Sequence, residues 1–176
     1  MKTYTYCLVV AFFLCELACF AGTLPIRHSG DFTAIYIYLS KDVAITKSTT
    51  TDGDGVTRTR FNTGKAHWFG EPELAELTGD VMDSNFIDTP KRIGMSDDGV
   101  WLIIMADTHN STTQNVSTNV CVVSLSNGEH HFGDTLQDAA KQFKMKPEDL
   151  ASIKLEPIQV FFDRQLFSRL DKASTN

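Results

Sequence analysis

The densest titratable group in the chain is Glu129-His130-His131. Two imidazoles and a carboxylate are metal-ligand chemistry, but adjacent residues point in different directions in regular structure. No His-Glu-x-x-His pattern accompanies them, so they read as a polar turn ahead of a helix, and no metal site or cofactor is expected. Cys121 is a second candidate, a nucleophile with His109 or His131 as its base. A reactive thiolate needs an electropositive, partly exposed setting. Val120, Val122 and Val123 predict a buried strand around it instead. Asp97-Asp98, with Asp80, Asp83 and Asp88 upstream, are the residue type of paired-carboxylate glycoside hydrolysis. Linear spacing does not set their separation, and their surroundings read as solvated loop. Asp52-Gly53-Asp54-Gly55 resembles the start of a calcium loop, yet Arg58 and Arg60 follow and no Glu closes it. It reads as a turn. No Gly-x-Ser-x-Gly, phosphate loop or dinucleotide fingerprint is present. The residues therefore point to a binding protein rather than an enzyme, with no catalytic residue assigned.

The elements that would position these groups change character along the chain. Phe32 to Thr46 is rich in β-branched and aromatic residues on both alternating faces, as one or two strands covered on both sides would be. Val56 to Phe61 alternates with Thr and Arg, and the Asp-Gly pairs before it predict a hairpin. Glu71 to Met82 has the early proline and first-turn acids of a helix start. Met82 to Asp98 reads mostly as loop. Val100 to Ala106 and Val120 to Leu125 read as buried strands, paired antiparallel across the polar stretch between them. Leu136, Ala139, Ala140 and Phe143 then fall at helical spacing, with Thr135 and Asp138 as a capping-box-like start. Pro147, Glu148 and Asp149 open a second short helix. Ile158 to Phe162 has the composition of a strand, and residues 163–176 that of a helical or frayed tail. The expected class is α+β: a largely antiparallel β part over residues 22–128, then a small helix-helix-strand unit over 129–176. The second either stands alone or packs with the first as one domain.

Whole-chain properties narrow the partners. The 176 residues carry 42% hydrophobic and 22% charged residues, a globular balance. A net charge of −6 does not favour the phosphate backbone, so nucleic acid is not an expected partner. Residues 1–21 have a Lys2 n-region, an apolar stretch from Leu8 to Leu14, and small residues Cys19 and Ala21 before a cut, the pattern of a secretory signal peptide. The expectation is a secreted protein with no membrane span once the signal is removed. Removal takes Cys7, Cys15 and Cys19, leaving Cys121 either free or paired between chains. Asn110-Ser111-Thr112 and Asn115-Val116-Ser117 are acceptor sequons in one polar stretch, so Asn110 and Asn115 are expected glycosylation sites in a host that glycosylates.

One stretch resembles a known family. Gly133-Asp134-Thr135-Leu136, then Ala139-Ala140, Phe143, Pro147-Glu148 and Leu150, resembles the lysin motif (LysM) over about residues 132–167. Lys154 stands where that motif usually has Asn, and the Gly expected before its last strand is missing. The resemblance implies two helices on a two-stranded sheet. It also implies recognition of N-acetylglucosamine polymers, chitin or peptidoglycan. The implied groove lies between the loop of Gly133, Asp134, Thr135 and Leu136 and the loop of Lys154, Leu155, Glu156, Pro157 and Ile158. The alternative is a secreted module that binds another extracellular protein and no glycan.

Overall fold

A computed structural model describes residues 26–29, 32–67, 81–109 and 116–174. Two five-stranded antiparallel sheets make up its body. The first is a meander of β1 (Ile26–Ser29), β2 (Phe32–Tyr38), β3 (Val43–Thr51), β4 (Thr57–His67) and β5 (Val81–Asp88), in that order. The second contains β6 (Arg92–Met95), β7 (Trp101–His109), β8 (Val116–Ser124), β9 (His130–Gly133) and β10 (Glu156–Pro157). Its spatial order is β10-β6-β7-β8-β9. Three helices follow β9 and flank β10: α1 (Leu136–Lys141), α2 (Pro147–Ala151) and α3 (Ile158–Ser174). The α+β class and its antiparallel β part are as expected.

Turn chemistry sets the registers. Leu39 N–H donates to Val43 O at 2.8 Å to close β2 onto β3. Between β3 and β4, the Asp52 carboxylate accepts from the N–H groups of Asp54 (3.3 Å) and Val56 (2.9 Å), and Gly55 takes a φ of +77°. The Asp-Gly hairpin is thus present, with its first carboxylate committed to the turn. β7 and β8 pair from Trp101↔Ser124 to His109↔Val116, as the two apolar runs predict.

Alternation then sorts side chains into layers. Ile37, Val43, Ile45, Phe61 and Phe86 of the first sheet meet Ile93, Leu102, Ile104, Cys121 and Val123 of the second, all buried. On its opposite face the first sheet buries Ala34, Tyr36, Tyr38 and Ala44, so β2 is covered on both sides. The second sheet turns Ile103, Val120 and Val122 the other way, onto Ala139 and Ala140 of α1 and Ile153 after α2. β7 and β8 are therefore central strands apolar on both faces, which accounts for their unbroken hydrophobic runs.

Two expected elements differ. Residues 82–98 hold strands rather than loop: β5 and β6. The Asp, Ser and Asn of β5 obscure its period, and its pairing with β4 shifts register twice, at Thr63/Gly64 and Lys65/Ala66. The buried Thr63 hydroxyl stabilises that irregularity by donating to Ile87 O (3.0 Å) and accepting from Ile87 N–H (3.2 Å). β6 contains Gly94 because a Cβ there would lie 2.6 Å from Lys154 O. Residues 158–162 open α3 instead of forming a strand. Ile158, Phe161 and Phe162 are the buried residues, at i, i+3 and i+4, while Gln159 and Val160 face out. The strand that closes the helix-helix unit is β10, just before. The helix expected from Glu71 lies outside the described residues except at Val81 and Met82, which belong to β5.

Residues 129–174 are woven into the rest. β9 extends β8, β10 extends β6, and Ile158, Phe161 and Phe162 pack between the two sheets.

Candidate ligand-binding surface

The expected groove has two walls, and the fold keeps them apart. Gly133 ends β9, opposite Val120. A Cβ on it would lie 2.6 Å from Ala139 N, so glycine here lets α1 turn back closely over its own strand. Thr135 caps that helix: its hydroxyl accepts from Asp138 N–H at 3.1 Å and donates to the Asp138 carboxylate at 2.6 Å. Asp134 is exposed, whereas Leu136 packs inward with Ile103, Val120 and Val122.

Lys154 through Ile158 serve the opposite edge. The Lys154 carbonyl abuts Gly94, and Leu155 O accepts from Arg92 Nη2 at 2.9 Å. Glu156 and Pro157 pair with Ile93 and Arg92, and the Glu156 carboxylate accepts from Arg164. Ile158 N–H donates to Lys91 O at 3.1 Å while its side chain enters the inter-sheet core. Three strands separate β9 from β10. At 4.7–4.9 Å per strand the edges stand roughly 19 Å apart. The strands flanking the helices therefore do not pair with each other. The apolar side chains of α1 and the segment through Ile153 cover the face between them.

The other groups singled out by sequence are also placed. Cys121 is free, buried, and pushed up to about 12 by desolvation. The Asp98 carboxylate accepts from Ser96 Oγ (2.5 Å) and Val100 N–H (3.0 Å) in the β6–β7 turn. Those bonds, the Ser96 hydroxyl first, hold it below the usual carboxylate range. Asp97 is exposed beside it, and Asp88 ion-pairs with Arg60 at 3.5 Å. Asp83 lies in β5. Asp80, Asn110 and Asn115 lie outside the described residues. Among the described residues no group of three His, Cys, Asp or Glu side chains is placed to hold a metal ion.

The Glu129-His130-His131 cluster is not a turn. His130 and His131 form β9 with Phe132 and Gly133. His130 packs on Phe86 with centroids 4.6 Å apart. On the opposite face of β9, His131 meets the ring of Phe143 at 4.7 Å, and Phe143 meets Trp101 at 4.9 Å. These rings are tilted by 68° and 58° rather than stacked parallel. Glu129 lies 3.4 Å from His131 Nε2, with side-chain exposures of 57% and 34% respectively. The result is a half-buried shelf of three rings, the outermost the His131 imidazole, with the Glu129 carboxylate at its rim. It sits at the C-terminal end of the helix that Leu136 begins. Sequence reading missed it because Trp101, His131 and Phe143 are far apart in the chain. The available signal was Phe143, which ends the helical stripe where α1 stops and can reach beyond it.

The fold defines an antiparallel two-sheet α+β protein whose second sheet carries a pair of short helices. No protein-family model matches the chain, and no curated protein or solved structure matches it. Among the described residues no helix is long and apolar enough to cross a membrane.

Proposed function

We propose that this is a secreted, non-enzymatic binding protein for glycans built from N-acetylglucosamine, with the Trp101–Phe143–His131 shelf as its contact surface. The observation that carries the reading is the shelf itself. A pyranose presents a flat C–H face and a rim of hydroxyls, which call for an aromatic platform edged by hydrogen-bonding groups. Trp101 and Phe143 supply apolar surface, and Glu129 and His131 supply an acceptor and a second polar group. Residues 132–167 resemble LysM in sequence, although β9 and β10 do not pair as its two strands would, and that sequence resemblance names the same ligand class. The shelf replaces the groove between Gly133–Leu136 and Lys154–Ile158 as the surface to test.

The test is retention on insoluble chitin and on peptidoglycan, with Glu129→Gln and His131→Ala as probes. The Glu129 side chain is exposed and the His131 ring is half-buried, and circular dichroism confirms that each variant is folded. Each should weaken retention by up to about tenfold, the ~1.4 kcal/mol at the upper end of a typical net hydrogen bond. Unchanged retention in both would remove the shelf from the account. Folded protein that neither matrix retains would favour the protein-binding alternative.

A further inference from the structure

α3 has a second apolar side that the described residues leave about half exposed. Its inner side sends Ile158, Phe161 and Phe162 into the core, and Arg169 donates to Tyr38 O across the first sheet. On its outer side Val160, Phe167 and Leu170 are 52%, 62% and 49% exposed. Val160 and Phe167 are seven residues apart, which stacks them two turns apart with a drift of only about 20°. Leu170 follows at i+3. Large apolar side chains lined up on one solvent-facing stripe mark a contact surface rather than scattered surface residues.

The charges beside the stripe select the occupant. Arg164 and Asp171, both exposed and also seven residues apart, share one flank of it. In an antiparallel helix pair about a two-fold axis, positions symmetric about the crossing point face each other. A crossing between Phe167 and Ser168 places Arg164 of each copy opposite Asp171 of the other, twice by symmetry. It also brings Phe167 of each copy together beside the crossing point. The flank is thus complementary to itself, the condition for a closed isologous contact. Arg164 already donates to Glu156 of its own chain, and a guanidinium has donors to spare for a second carboxylate.

We propose that two copies of this chain associate through α3, antiparallel, with Phe167 at the centre and reciprocal Arg164–Asp171 pairs beside it. Five side chains on one helix are few beside the roughly 20–30 residues a side of a standard interface, so the association is weak and concentration-dependent. It would leave the aromatic shelf free and join two of them in one particle, raising apparent affinity for a polymeric ligand.

Sedimentation of the purified protein over a wide concentration range tests this. The expected result is a sedimentation coefficient that rises with concentration in the wild type and stays at the monomer value for Phe167→Asp. Asp171→Arg should weaken association, and adding Arg164→Asp to it should restore association by exchanging the charges. Circular dichroism confirms that each variant is folded. A wild type that remains monomeric throughout overturns the proposal. So does a folded Phe167→Asp that associates like wild type, or a folded double variant no stronger than Asp171→Arg. If the double variant does not fold, Phe167→Asp decides.

Discussion

Cys121 shows how far a single residue's role was readable. Three neighbouring valines mark a buried strand, and the thiol lies between the two sheets with no exposed surface. Burial disfavours the thiolate and raises the group from an ordinary 9.0 to about 12. Cys121 should therefore resist iodoacetamide at neutral pH in the native protein and react readily in the urea-unfolded chain, read by peptide mass mapping. Rapid labelling of Cys121 in the native protein would contradict the buried placement. Because the folded value lies above the unfolded one, this thiol's stabilising contribution is complete below about pH 9 and is lost between there and about pH 12. Alkaline unfolding curves should fall in that window. The same burial keeps an interchain disulfide out of reach without opening the sandwich. His131 makes the opposite lesson. Its type and neighbours suggested a polar turn, but imidazole is flat enough to pack on Phe143 and polar enough to keep a rim at Glu129.

At the scale of elements, legibility followed period and punctuation. β2, β3, β7 and β8 were readable because their apolar runs are bounded by turns whose side chains close them. α1 was readable from its stripe and its cap. The Thr135 hydroxyl, and then Lys141, hold the Asp138 carboxyl below its usual range. Thr135→Ala should lower stability by about 1 kcal/mol. It should also reduce the acid dependence, since a lowered carboxyl contributes above its unfolded value and loses that contribution as pH falls through the folded one. Melting temperatures from neutral to acidic pH, compared for the two proteins, check both effects; parallel curves would contradict the role assigned to Asp138. β5, β6 and the start of α3 were not legible for identifiable reasons. β5 has register shifts, β6 owes its glycine to a distant carbonyl, and Ile158 to Phe162 carries strand-type residues at helical spacing. Those constraints come from partners far away in sequence, Ile87 with Thr63 and Gly94 with Lys154.

Across the whole molecule, the C-terminal third completes the core rather than adding to it. Phe161 and Phe162 lie between the sheets, and β10 caps the edge of β6. Phe161→Ala or Phe162→Ala should each cost about 3–5 kcal/mol. A chain ending at Ser152 should lose its single cooperative unfolding transition in urea. Retention of a native-like transition by that truncated chain would contradict the interwoven fold. The same interweaving explains why the candidate site was only partly legible. The resemblance concentrates on residues 132–167, but one ring of the shelf, Trp101, comes from β7, and the two loops expected to form a groove are on opposite edges of a sheet. Recognition of N-acetylglucosamine polymers by this surface is the proposal to which the site's geometry leads. The most direct measurement is retention of the folded protein on chitin and peptidoglycan against a cellulose control, which has the same glucan backbone without the acetamido group. Retention is expected on at least one acetamido polymer, in excess of cellulose, and soluble N-acetylglucosamine oligomers should compete it away. Equal recovery from all three matrices, or no retention on any, would contradict the proposal.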